Sequence, residues 1–235
     1  MTHFVMVAGA WLGAWVWGDV ARLLAAAGHG AHPLTLSGVA ERRGVPAGQE
    51  THVRDIVDEV VRRDLHDVVL VGHSYSGIPV GQAAERIGGR LSRVVFVDSE
   101  VPVDGESFVS GWWEGPERLA AVLAAHDGRW PPPTAADLAG QGLSDAQIAR
   151  LVAGATPHPG ASLAEPATLT RPLGALPATY VKCLLDGPEP KTTVAELLTC
   201  GTWRRVDLDT GHWPMVSRPE ELARVLLAAA AEGRG

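Results

Sequence analysis

Residues 68–77, Val-Val-Leu-Val-Gly-His-Ser-Tyr-Ser-Gly, constrain the fold of this chain more than any other stretch. Four consecutive apolar residues, a glycine and a serine two places on read as a buried strand that breaks sharply into a helix. Such a turn, a nucleophile elbow, lifts a serine hydroxyl above the end of a sheet. The serine adopts a strained backbone conformation, and the residues two places either side must be small so that strand and helix can approach. Gly72 meets this requirement, whereas the second small position holds Ser76, with Gly77 just behind it. A hydroxymethyl group in place of a hydrogen predicts a slightly wider crossing with the elbow retained. Taken alone, the same letters fit an ordinary strand–loop–helix junction in which Ser74 only caps the helix. The order of the surrounding elements decides between the two.

Residues 4–8 form a short apolar strand that ends in a glycine-containing loop over 9–14. Helical spacing follows over 16–27 (Val16, Val20, Leu23, Leu24, Ala27), with Gly28 as its stop. A second strand is expected at 31–36, then a polar loop to Glu50, and a helix from Thr51 with Val53, Ile56, Val57, Val60 and Val61 on its apolar face. The strand at 67–71 enters the elbow, a helix at 75–87 leaves it, and 91–97 is an apolar run suited to burial on both faces. This alternation predicts an α/β domain, with a mostly parallel sheet flanked by helices and joined by right-handed crossovers. After Glu100 the character changes. Residues 101–172 carry Trp112, Trp113, Trp130 and three consecutive prolines from Pro131, with short helical pieces near 117–125 and 145–153 and no strand pattern. They are expected to form a small helical cap inserted into one α/β domain spanning 1–235. Alternation resumes with a strand at 179–185, a helix near 192–198, a strand at 203–208 and an amphipathic helix at 219–231.

Composition narrows the function. The net charge of −7 and the scattered basic residues argue against nucleic acid or an anionic membrane surface as the main partner. No charged segment precedes an apolar one at the N-terminus, and no apolar run reaches the roughly 18–20 residues of a membrane span, so a cytoplasmic protein is expected. Cys183 and Cys200 are too few for a disulfide framework and lack metal-ligand spacing. No cofactor or metal is expected. The partner is a small-molecule substrate, with pairing of two copies left open.

A serine nucleophile needs a base to take its proton, and the base needs an acid to hold its tautomer. His212 is the candidate base. It stands in Asp209-Thr-Gly-His-Trp-Pro214, past the last strand and before the last helix, and of nine histidines it alone lies at a late strand end. His73, beside the serine, points along the elbow. Two acids remain open, Asp186 after the 179–185 strand and Asp98 after the 91–97 strand, with a lean toward Asp186. Asp209, three residues from His212, shapes that turn instead. Two backbone N–H groups must hold the oxyanion. One belongs to Tyr75, which follows the nucleophile; the other is expected from Ala10, because Gly9 leaves the backbone free to turn its neighbour's N–H inward.

The stretches 4–17 (FVMVAGAWLGAWVW), 67–77 (DVVLVGHSYSG), 94–102 (VVFVDSEVP) and 207–219 (DLDTGHWPMVSRP) resemble the methylesterase and hydroxynitrile lyase family of α/β-hydrolases. The resemblance spans nearly the whole chain apart from the cap, and implies the α/β-hydrolase fold and a cofactor-free serine hydrolase of compact esters. It places the family's acid at Asp186, six residues after Tyr180, although bacterial relatives often carry Asp at the position of Asp98. Two departures stand out: Ala8-Gly9 replaces the usual His-Gly, and Ser76 replaces glycine. The lyase devices are missing, since Gly9 stands in place of a Thr and Trp213 in place of a Lys.

The expected activity is therefore hydrolysis of a small hydrophobic or aromatic carboxylic ester or lactone through an acyl-enzyme. Cap residues Trp112, Trp113 and Trp130 with Phe108 can each anchor the cap to the core, but at least one is expected to line an apolar substrate pocket, to which Trp11 and Trp213 are also expected to contribute. Two other classes stay open: a non-hydrolytic tailoring enzyme (cyclase, decarboxylase or lyase) on the same scaffold, and a catalytically silent binding protein.

Overall fold

The computed structural model describes residues 1–112 and 115–233, so the expectation placed on Trp113 lies outside the described residues. In chain order the strands are β1 (His3–Val7), β2 (Gly30–Leu34), β3 (Val68–His73), β4 (Leu91–Val97), the two-residue β5 (Arg129–Trp130) and β6 (His158–Pro159), β7 (Ala178–Cys183) and β8 (Trp203–Leu208). All but β5 and β6 form one sheet in the order β2-β1-β3-β4-β7-β8, and every neighbouring pair is parallel. The helices are α1 (Gly18–Ala26), α2 (Gln49–Arg62), α3 (Gly77–Ile87), α4 (Pro116–Ala125), α5 (Asp145–Gly154), α6 (Gly160–Ala164), α7 (Thr192–Leu197), α8 (Pro214–Ser217) and α9 (Pro219–Glu232).

Side-chain alternation along the strands divides the core in two. Val5 and Val7 of β1, Leu70 of β3 and Phe96 of β4 pack on one face against Val53, Ile56 and Val60 of α2 and Val80 of α3. Phe4, Met6, Val69, Val71, Val95 and Val97 pack on the other against Val20 and Leu24 of α1 and Leu222 and Leu226 of α9. With helices on both faces, the central strands must be apolar on both, which accounts for the unbroken run in β3. Strand order reverses between β1 and β3, and in open α/β sheets the crevice beyond the strand ends at that point is where ligands collect. Among the described residues no helix is long and apolar enough to cross a membrane.

The segment between β4 and β7 carries α4, α5 and α6, as its helical pieces suggested, and also an antiparallel ladder pairing Arg129 with Pro159 and Trp130 with His158. The expectation that this segment lacks strands is corrected here: a two-residue pair has no periodicity for a sequence to display. The helices expected at 16–27 and 75–87 each begin with a tight 3₁₀ turn, Ala14–Trp17 and Ser74–Ser76, before α1 and α3.

Candidate active site

β3 delivers Ser74 to the reversal point between β1 and β3. Ser74 has φ +55°, a left-handed conformation that a non-glycine residue holds only under constraint. The constraint is the close crossing of strand and helix. A Cβ on Gly72 would stand 3.0 Å from Gly77 Cα, and one on Gly77 would stand 2.0 Å from the carbonyl oxygen of Glu100. Ser76 fits because its hydroxyl is employed: Oγ accepts the His73 N–H at 2.9 Å and lies 2.9 Å from the carbonyl oxygens of Val7 and His73. The departure from glycine therefore ties the end of β1 to the elbow. Ser74 itself is half-buried, and its hydroxyl makes no hydrogen bond among the described residues. Catalytic hydrogen bonds commonly tighten only once substrate is bound.

The loop after β8 brings His212 to the same edge. Its Nδ1 lies 2.8 Å from Asp98 Oδ2 and 3.4 Å from Asp186 Oδ2, so the structure gathers both candidate acids on one nitrogen. The two carboxylates differ in surroundings. Asp98 is 2 % exposed, and its other oxygen receives Lys182 Nζ at 2.6 Å and the Cys183 N–H at 3.2 Å. Asp186 is 43 % exposed. Burial alone would lower the His212 pKa, but hydrogen bonds to Asp186 and Asp98, with the charges of both, outweigh it and raise the value to about 9. The Asp186 carboxyl is held well below the usual carboxylate range, chiefly by its hydrogen bond to His212. His73 serves the loop rather than the chemistry. Its Nε2 lies 2.6 Å from the His212 carbonyl oxygen, and burial, reinforced by the neighbouring His212, drives its pKa well down and leaves it neutral. Gln141, which sequence reasoning missed, accepts the His212 N–H at 2.7 Å through Oε1.

The β1 end supplies the loop expected to hold an oxyanion. A Cβ on Gly9 would stand 2.8 Å from both His73 Nδ1 and Ser74 Cβ, so only glycine permits this loop to lie against the nucleophile. Ala10 follows it and is buried, and Tyr75 lies in the 3₁₀ turn Ser74–Ser76 that leads into α3. Ser74 and Asp98, each just past a strand end, and Trp11, four residues past β1, all have positive φ (55°, 43° and 67°). Such strain concentrates at functional sites; the elbow motif announces it at Ser74, and no residue pattern announces it at Trp11 or Asp98.

The expected substrate-binding aromatics fall into two groups. Trp11, Trp112 and Trp130 form one cluster with Phe108: Trp130 lies 4.1 Å from Trp11 and 4.9 Å from Trp112 between ring centroids, and Phe108 lies 5.7 Å from Tyr75. Trp213 is separate, edge-on to His212 at 5.0 Å and buried in the opposite core layer. Phe108 also lines a groove of about 550 Å³ with Ile78, Val101, Pro102, Glu100 and Lys191. The groove lies beside the elbow, because the Glu100 N–H donates to the Ser74 carbonyl at 3.1 Å.

Asp98, Asp186 and His212 offer ligand atoms within 4.8 Å of one another, a spacing that could suit a cation. Lys182 already places a positive charge on Asp98, however, and a divalent ion there would meet that ammonium. The arrangement suits acid–base work better.

A serine on a strained elbow, a histidine carried by carboxylates and a parallel sheet with this strand order define the class, and the pattern of the Alpha/beta hydrolase family matches residues 4–225. The chain belongs to that family. Within it, the chain is similar to a carbendazim-hydrolyzing esterase of Nocardioides sp. (strain SG-4G), 39 % identical over 113 residues, or 47 % of each chain. It is also similar to esterase PIR7B of Oryza sativa subsp. japonica, 37 % identical over 109 residues, 44 % of this chain and 41 % of that one. The chain thus spans about half the length of these curated relatives. A solved extracellular α/β-hydrolase from a Paenibacillus species shares the fold with a TM-score of 0.85 at 23 % identity, over 97 % of this chain and 98 % of that one.

Proposed function

We propose that this protein hydrolyses small carboxylic esters or lactones with a hydrophobic or aromatic part, through an acyl-enzyme on Ser74. The observation that carries this reading is His212 Nδ1 held by Asp98 and Asp186 at the strand edge from which Ser74 projects. Neutral His212 takes the Ser74 proton on Nε2 as Oγ attacks the carbonyl carbon. The imidazolium then returns that proton to the departing alkoxide, and a water repeats the sequence to release the acid. Ala10 and Tyr75 N–H groups hold the oxyanion. Asp98 is the principal orienting acid, because it is nearer and its second oxygen is fixed by Lys182, while Asp186 adds charge from the solvent side. Ile78, Val101, Pro102 and Phe108, among the residues lining the 550 Å³ groove beside the elbow, support a hydrophobic acyl or alcohol part. The two free cysteines suit a cytoplasmic setting.

A fluorophosphonate should label the wild type and not Ser74→Ala, and a panel of short-chain, aryl and lactone esters should turn over only with the wild type. Unchanged turnover in Ser74→Ala would end the covalent mechanism. The pairing of His212 Nδ1 with both Asp98 and Asp186 favours a second reading. Two carboxylates beside one imidazole stabilise its protonated form, which can act as an acid, as a lyase or decarboxylase requires. Labelling of Ser74 with no ester turned over would favour that chemistry. A wild type that reacts with no phosphonate and turns over no substrate would point to a binding protein.

A further inference from the structure

The segment between β4 and β7 grips the oxyanion loop through one peptide. Trp11 follows the proposed donor Ala10 and holds φ +67°, a region that bulky residues leave unless held there. Both polar groups of its backbone end on that segment. The Trp11 N–H donates to His158 Nδ1 at 3.4 Å. Its carbonyl accepts from the Thr156 N–H at 3.0 Å and from Thr156 Oγ1 at 3.3 Å. Its indole lies 4.1 Å from that of Trp130, the residue paired with His158 in the β5–β6 ladder. The loop has no means of its own for this: Ala8, Gly9 and Ala10 carry no polar side chain.

Hydrogen bonding assigns the protons. Ser162 Oγ donates to the Pro159 carbonyl at 2.8 Å, which uses its single proton, so His158 Nε2, 3.0 Å away, must be the donor between them. His158 therefore carries its proton on Nε2 and presents a bare Nδ1 to Trp11. Thr156 is equally committed: Oγ1 accepts the Ala40 N–H at 2.8 Å while donating to Trp11. His158 is 1 % exposed. Burial above all, then the charges of His52 and Arg129, holds its pKa well below the usual value, so it remains an acceptor through the working pH range.

We propose that His158, supported by Thr156, is a positioning residue for catalysis: it fixes the Trp11 peptide and thereby aims the Ala10 N–H at the oxyanion. The proposal rests on the acyl-transfer reading given above. Two substitutions separate acceptor from bulk. His158→Asn keeps an acceptor where Nδ1 stands, whereas His158→Gln keeps a donor toward Ser162 and loses that acceptor. In His158→Gln, kcat should fall on the order of tenfold to a hundredfold, with KM within about threefold, and the phosphonate labelling rate should fall in parallel. His158→Asn should recover most of both. Without any substrate, amide exchange at Trp11 should be faster in His158→Gln than in the wild type. Equal kcat in the two variants, or unchanged exchange at Trp11, would overturn the proposal. If neither variant folds, Thr156→Val serves in their place; faster exchange over residues 9–13 and a lower kcat would support the clamp, and unchanged values would overturn it. A wild type without turnover or labelling would overturn the acyl-transfer reading instead, and the exchange comparison would still decide the clamp.

Discussion

Lys182 Nζ lies 2.6 Å from Asp98 Oδ1 with the two side chains only 6 % and 2 % exposed, so the acid beneath His212 is one half of a buried ion pair. Removing one partner of such a pair leaves an uncompensated buried charge and costs about 3–5 kcal/mol. Lys182→Met should lower the urea midpoint accordingly. Adding Asp98→Asn should recover part of the loss, which a double-mutant cycle would measure. Lys182→Met alone leaves His212 facing more net negative charge, so its pKa should rise further and the rising limb of kcat/KM should move to higher pH.

The two carboxylates on His212 Nδ1 are expected to contribute unequally. Asp98→Asn should reduce kcat by about 10³–10⁴-fold, because an amide there no longer holds the tautomer or stabilises the imidazolium. Asp186→Asn should cost about tenfold, since Asp98 remains in place. Steady-state kinetics on one ester decides between them, and the reverse order would return the role to Asp186.

With His212 as the proposed base, its pKa raised to about 9 makes activity pH-dependent. In the free enzyme kcat/KM should climb with pH along a limb centred near 9, and Asp186→Asn should shift that limb to lower pH. Stability should move in the opposite direction. The folded pKa exceeds the unfolded value of about 6.5, so the contribution of His212 is complete below that pH and is lost as pH rises through about 9. The thermal midpoint should therefore decline between neutral pH and pH 9.5 in the wild type, and decline less in Asp186→Asn.

Gly77 is irreplaceable for a geometric reason. A methyl group there would stand 2.0 Å from the Glu100 carbonyl oxygen and 2.5 Å from Ser99 Oγ. Gly77→Ala should push α3 off the loop after β4, costing about 1–3 kcal/mol and most of the activity. Circular dichroism melts and the ester assay would test both. A variant with wild-type rate and stability would contradict the stated crossing.

Elements with a period of their own were legible in the sequence. The strands 91–97 and 203–208 were anticipated to the residue, and Ser74, His212, Asp98 and Asp186, which the fold brings to one sheet edge, could be singled out because each sits at a strand end with chemistry-bearing letters. What escaped was made by residues distant in sequence and undistinguished in type. His158 acts through a two-residue ladder, Gln141 through one amide oxygen, and Lys182 as a buried cation that its apolar strand neighbours conceal. Both aspartates stand at strand ends and only the family resemblance favoured Asp186, whereas depth in the fold, which separates it from Asp98, has no signature in a single sequence.

The parts of the candidate site are also separated in time. His212 stands 114 positions after Asp98 and 139 after His73. During synthesis from the N-terminus the elbow and the β1 loop emerge first, and the base is withheld until β8 has docked on the sheet edge. A nascent chain would thus carry a serine without its base until β8 has docked. Acquisition of reactivity toward a phosphonate would report the docking of β8 on the sheet edge, giving a direct clock for that step of folding.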